Sequence, residues 1–74
     1  MTQSINDYEK ESKRLLELYQ NNQIDDAADL ARAMTAEDPS FALGWKVLGS
    51  VYGRKGQVEQ SKEAFQRLIN LDPQ

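Results

Sequence analysis

The chain has 74 residues, with nine Lys or Arg against twelve Asp or Glu, for a net charge of −3. That length limits it to one small domain. The sequence contains neither cysteine nor histidine, which excludes disulfide staples, thiolate metal sites and the commonest general base.

The first residues carry no basic cluster ahead of an apolar run, so no secretory signal is expected. No apolar stretch approaches the roughly 18 residues that span a bilayer. The expectation is a soluble, cytoplasmic protein. Residues 1–40 are net acidic and residues 41–74 slightly basic. Such polarity would suit end-to-end stacking, but the favoured reading is a solvated surface, because exposed charges are screened.

Four helices are expected. Ser4 is placed to cap the first, with Asp7 as its short capping-box partner. Tyr8, Leu15, Leu16, Leu18 and Tyr19 then fall on one broad stripe at helical spacing. The chain turns at Asn21-Asn22, since asparagine tolerates the left-handed conformation that closes a helix. The second helix starts near Ile24. Asp25 and Asp26 suit the positive end of its dipole, and Ala27, Leu30, Ala31 and Met34 form its apolar face. It stops around Asp38-Pro39, because the residue before proline avoids helical backbone.

Ser40 is placed to cap the third helix, the most hydrophobic segment, with Phe41, Leu43, Trp45, Val47, Leu48, Val51 and Tyr52. Gly56 supplies a second left-handed turn. The fourth helix runs from about Val58 to Leu71, with Phe65, Leu68, Ile69 and Leu71 as its apolar side, and Pro73 closes it. No period-two alternation or hairpin dipeptide signals a strand.

The chain also matches itself at a period of 34 residues: Leu18 with Tyr52, Gln23 with Gln57, Ile24 with Val58, Ala27 with Ser61, Met34 with Leu68, Asp38 with Asp72 and Pro39 with Pro73. A fixed period of this length means one supersecondary unit used twice.

Trp45, Leu48, Gly49, Tyr52, Gly56, Ser61, Phe65, Leu68 and Pro73 stand at the spacing of the tetratricopeptide repeat, which the chain resembles. Ser61 departs from the family's preferred alanine. The unit over 8–41 is degenerate. It keeps Leu18, Ala27, Ala31, Met34 and Pro39, but has Glu11, Arg14 and Leu15 where Trp, Leu and Gly are usual. The unit over 42–74 is the strong match. Terminal repeats are commonly atypical because one side faces water. The resemblance implies an all-α fold over 1–74: two tandem helix-turn-helix units, four antiparallel helices, forming a short right-handed α-solenoid. Trp45, Tyr52 and Phe65 are expected to fill the space between the paired helices of the second unit, against small residues at Gly49, Ala27 and Ser61.

The resemblance further implies a concave face lined by the first and third helices, where family members hold extended peptides. The corresponding positions are Glu9, Ser12, Leu16, Tyr19 and Gln20, then Leu43, Lys46, Ser50, Gly53 and Arg54. They make an apolar strip (Leu16, Tyr19, Leu43) with two cations. The competing reading is an ordinary solvated surface. The carboxylate clamp of chaperone-binding members is not expected. Ser12 and Leu16 replace its first Lys and Asn, Val47 replaces its second Asn, and a third repeat is absent.

Enzymatic chemistry finds no support. There is no phosphate loop, no His-Glu-x-x-His and no nucleophile elbow. Asp25 and Asp26 are adjacent and point about 100° apart, so they do not converge on one atom. Ser12-Lys13 and Ser61-Lys62 are too commonplace to mark a dyad. Lys46, Arg54 and Lys55 are too few for a nucleic-acid stripe, and the mixed charge of the first helix argues against membrane binding. No cofactor is expected, and the expected partner is a protein or peptide.

Two repeats are few for a stable stack, and the fourth helix is expected to leave an apolar edge. Either the chain is the front end of a longer protein or it associates with itself through that edge. The stretch from Ala31 to Gly49 loosely resembles opening repeats of bacterial proteins that continue into a glycosyltransferase or sulfotransferase domain, which gives an alternative role as a substrate-positioning region.

Overall fold

A computed structural model describes residues 5–71, with side chains from residue 9 onward. Among these residues every regular element is a helix: α1 (Ile5–Gln20), α2 (Ile24–Glu37), α3 (Ala42–Arg54) and α4 (Val58–Leu71). Each helix packs on the next in chain order. The molecule measures 40 × 31 × 19 Å, and the shortest dimension is about two helix diameters. No described helix is long and apolar enough to cross a membrane. Ser4, Pro73 and the side chains of Asp7 and Tyr8 lie outside the described residues.

The 34-residue period in the sequence reappears in the backbone. α1 ends at Gln20 and α3 at Arg54, and α2 and α4 begin and end one period apart. The two turns between them match bond for bond. Asn22 (φ 68°) and Gly56 (φ 78°) both take the left-handed conformation. The Gln23 amide donates to the Leu18 carbonyl at 2.8 Å, and the Gln57 amide to Tyr52 at 2.8 Å. The Asn22 amide donates to Tyr19 at 3.1 Å, and the Gly56 amide to Gly53 at 3.1 Å. This paired 6→1 and 5→2 pattern is the Schellman closure, which satisfies carbonyls that a helix end otherwise leaves open.

The link between α2 and α3 corrects one expectation. Ser40 does not cap α3. Its amide and hydroxyl both donate to Asp38 Oδ1, at 3.0 and 2.6 Å. The helix begins one residue later than that placement requires, with Phe41 in extended backbone at the cap position and no side-chain cap. A short acidic side chain that binds its own turn two residues on competes with capping, and here the turn wins.

The core is small-residued. It comprises Leu15, Ala27, Ala28, Ala31, Met34, Val47, Leu48, Val51 and Ala64. The alanines let α1 and α3 sit close on α2, and they are also the best helix formers. Thr35 is buried beside them, and its hydroxyl donates to the Ala31 carbonyl at 3.0 Å. No buried side-chain nitrogen or oxygen lacks a partner among the described residues. α4 contributes only Ala64 to this core. Its expected apolar side is largely open: Phe65 is 36% exposed, Leu71 38% and Ile69 60%.

α3 meets both neighbours through glycine. A Cβ on Gly44 would stand 2.6 Å from the Thr35 methyl, and one on Gly49 would stand 2.7 Å from the Phe65 ring. Ser61 reinforces the second contact by donating its hydroxyl to the Gly49 carbonyl at 2.9 Å. Gly49→Val should therefore lower stability by about 1–3 kcal/mol through overpacking. A Cβ on Gly53 meets nothing nearer than Ser61 Oγ at 3.5 Å, so Gly53→Ala should gain up to about 1 kcal/mol from helix propensity. Urea unfolding of both variants checks the contrast. Equal effects at the two sites would mean that α4 is not seated on Gly49.

Candidate functional site

The expected groove residues lie on α1 and α3, and the structure joins some of them. Arg54, at the end of α3, places its guanidinium 5.5 Å from the centroid of the Tyr19 ring. It also donates to Asn22 Oδ1 at 3.1 Å. The left-handed turn that ends α1 is thus held to the end of α3, which fixes Tyr19 and Arg54 at one end of the face. The ring is half-buried, and the cation beside it adds a modest attraction.

The remaining positions stay apart. Leu16 is 40% exposed, while Leu43 is half-buried and rests on the core. Glu9, Gln20 and Lys46 are exposed, and Ser12 and Ser50 are half-buried. Lys46 makes no ion pair among the described residues. Gly53 belongs elsewhere. It opens onto a cavity of about 410 Å³ that it shares with Val58, Ser61, Phe65 and Ile69. The face therefore offers separate apolar positions, one cation with no ion pair among the described residues and one cation already engaged.

A larger groove, of about 680 Å³, runs between α2 and α4 across α3, and the sequence reading did not identify it. Its floor holds Trp45 and Tyr52, both half-buried. They border this opening together with Gln60, Glu63, Ala64 and Arg67 of α4, and the Phe65 ring lies against Gly49. The Trp45 indole donates to the Pro39 carbonyl at 2.7 Å, and Arg67 stands 5.1 Å over its ring. Arg32 donates to the Tyr52 hydroxyl at 3.2 Å and pairs with Asp29. The Tyr52 hydrogen bond and the Asp29 charge push the Arg32 guanidinium further up. A signal for this arrangement exists in the sequence: Trp and Tyr need a polar partner at one end when they are covered.

Asp25 and Asp26 diverge. Asp25 accepts from Lys55 Nζ at 2.5 Å, whereas Asp26 accepts from Gln23 at 3.4 Å. The acidic pair serves the helix start and a bridge to the end of α3, and no group of carboxylates able to hold a metal ion occurs among the described residues. Comparison with protein-family models, curated proteins and solved structures gives no match.

The Lys55 hydrogen bond and charge hold the Asp25 carboxyl below the ordinary carboxylate value of 3.8. A depressed folded-state pKa contributes stability above the unfolded value and loses it as pH falls through the folded one. The bridge is solvent-exposed, so its contribution is small and salt-sensitive. Lys55→Met should return the Asp25 carboxyl to its ordinary titration, read as the pH dependence of its side-chain carbon resonance. An unmoved titration would show that the ion pair does not persist in solution.

Proposed function

We propose that the chain is a non-catalytic interaction module of the tetratricopeptide type: two helix-turn-helix units stacked as a short right-handed solenoid. The module docks an extended protein segment across α1 and α3. What supports the first half of this reading is the recurrence of helix ends and Schellman turns at one 34-residue period.

The two faces differ in which polar groups are still available. In the groove between α2 and α4 the indole, the Tyr52 hydroxyl and both arginines already have intramolecular partners. A ligand there meets polar groups whose bonding capacity is already partly used. On α1 and α3, Leu16 is 40% exposed and Lys46 is unpaired among the described residues. That single contrast carries the assignment.

The matching ligand is an extended segment with apolar side chains for Leu16, Tyr19 and Leu43 and an acidic residue for Lys46. Peptides selected on the chain by phage display supply the probe. Amide-shift titration should perturb Leu16, Tyr19, Leu43 and Lys46, and Lys46→Glu should weaken binding about fivefold to tenfold. Shifts confined to α2 and α4 would overturn the choice of face.

A further inference from the structure

Arg54 and Lys55 stand side by side at the end of α3, and they differ in what holds them. Lys55 bridges to the Asp25 carboxylate, so its charge is met within the chain. Arg54 donates to Asn22 Oδ1 at 3.1 Å and stands 5.5 Å over the Tyr19 ring. Both of those partners are neutral. No ion pair joins Arg54 to a carboxylate among the described residues. Its guanidinium is therefore held in place while its charge remains uncompensated.

That combination suits an anion receptor. A guanidinium carries five N–H donors in a planar fork, and Asn22 takes one of them. The contact with the Tyr19 ring draws on the charge and leaves the other donors for a planar partner. Arg54 is exposed, so a ligand reaches those donors without burying a lone charge. Two contacts already restrict the side chain, so less conformational freedom is lost on binding. A carboxylate matches the fork with two parallel hydrogen bonds. The α2–α4 groove differs, because Arg32 is paired with Asp29 there and Glu63 borders the same opening as Arg67.

The surrounding charges agree with an acidic ligand. Glu9 is the one acid among the ten expected face positions, and it lies ten residues before Tyr19, about 15 Å away along α1. Lys46 lies eight residues before Arg54 on α3, about 12 Å along the axis. In an extended segment, side chains four residues apart point the same way and are about 13 Å apart.

We propose that Arg54 anchors an acidic side chain of the docked segment, with Asn22 and Tyr19 as the positioning residues that aim its guanidinium. The anchor rests on the reading of α1 and α3 as the docking face. It adds to that reading a second acidic group, about four residues from the one that meets Lys46.

The probe is the tightest phage-selected peptide, together with versions in which one Glu or Asp at a time becomes Gln or Asn. Asn22→Asp keeps an oxygen that accepts from Arg54 and a side chain that tolerates left-handed backbone. It also sets a carboxylate of the chain's own against the guanidinium. Affinity for the acidic peptide should fall about fivefold, while urea unfolding shows no loss of stability. Arg54→Gln should cause a similar loss. One of the single acid-to-amide peptides should bind both variants and the natural chain alike, since a double-mutant cycle counts a shared contact once. A peptide that perturbs Leu16 and Tyr19 yet binds Asn22→Asp and Arg54→Gln undiminished would overturn the anchor and leave the docking face standing. So would a selected peptide on that face with no acidic residue. Peptides that bind only at α2 and α4 would overturn both.

Discussion

α3 can lie against α2 and α4 at once because each contact includes a glycine where it presents bare backbone. Gly44 admits the Thr35 methyl and Gly49 admits the Phe65 ring, each at a separation where a Cβ could not fit. The helix pays for this in propensity, roughly 1 kcal/mol per interior glycine. It regains stability from its flanking residues: Val47, Leu48 and Val51 are all buried. The position of α3 in turn determines which faces of α2 are covered, where Trp45 and Tyr52 emerge, and how far the end of α1 lies from Arg54.

The closing turns complement that constraint. A left-handed residue and two reciprocal amide bonds end α1 and α3 in the same geometry. One turn uses glycine, which adopts positive φ at no steric cost. The other uses Asn22, which bears a Cβ but also offers a side-chain oxygen to Arg54. The same backbone device therefore has two different side-chain consequences. At the first turn it adds a tether between helices, and at the second it leaves Gly56 with nothing within 4 Å of where a Cβ would sit.

Much of this was legible in the sequence, for identifiable reasons. The limits of α2 and α4 and both turn residues follow from the period together with Asn, Gly and Pro chemistry. What was not legible depends on tertiary geometry. Ser40 carries the composition of a cap, but Asp38 engages it first. Trp45 and Tyr52 were expected, on the spacing of the repeat, to fill the space between the paired helices of the second unit. Their polar ends bond to Pro39 and Arg32, partners that helical spacing does not reveal, and both rings border an open groove. Of the ten expected groove positions, Tyr19 and Arg54 meet because the end of α3 falls beside the first turn, whereas Gly53 faces α4. Helical spacing alone assigns an angle around one axis, and it carries no information about which neighbour occupies that angle.

The thin anchoring of α4 has a consequence for how the molecule loosens. With Ala64 as its one buried side chain, just as α1 has Leu15 among the described residues, this helix is held by few interior side chains, and partial opening starts from such elements. The single tryptophan lies beneath Arg67 of that helix. Its indole emission thus gauges whether the final helix is seated, independently of the aromatic residue at the end of α1, and allows fraying of one end to be followed while the rest of the fold persists.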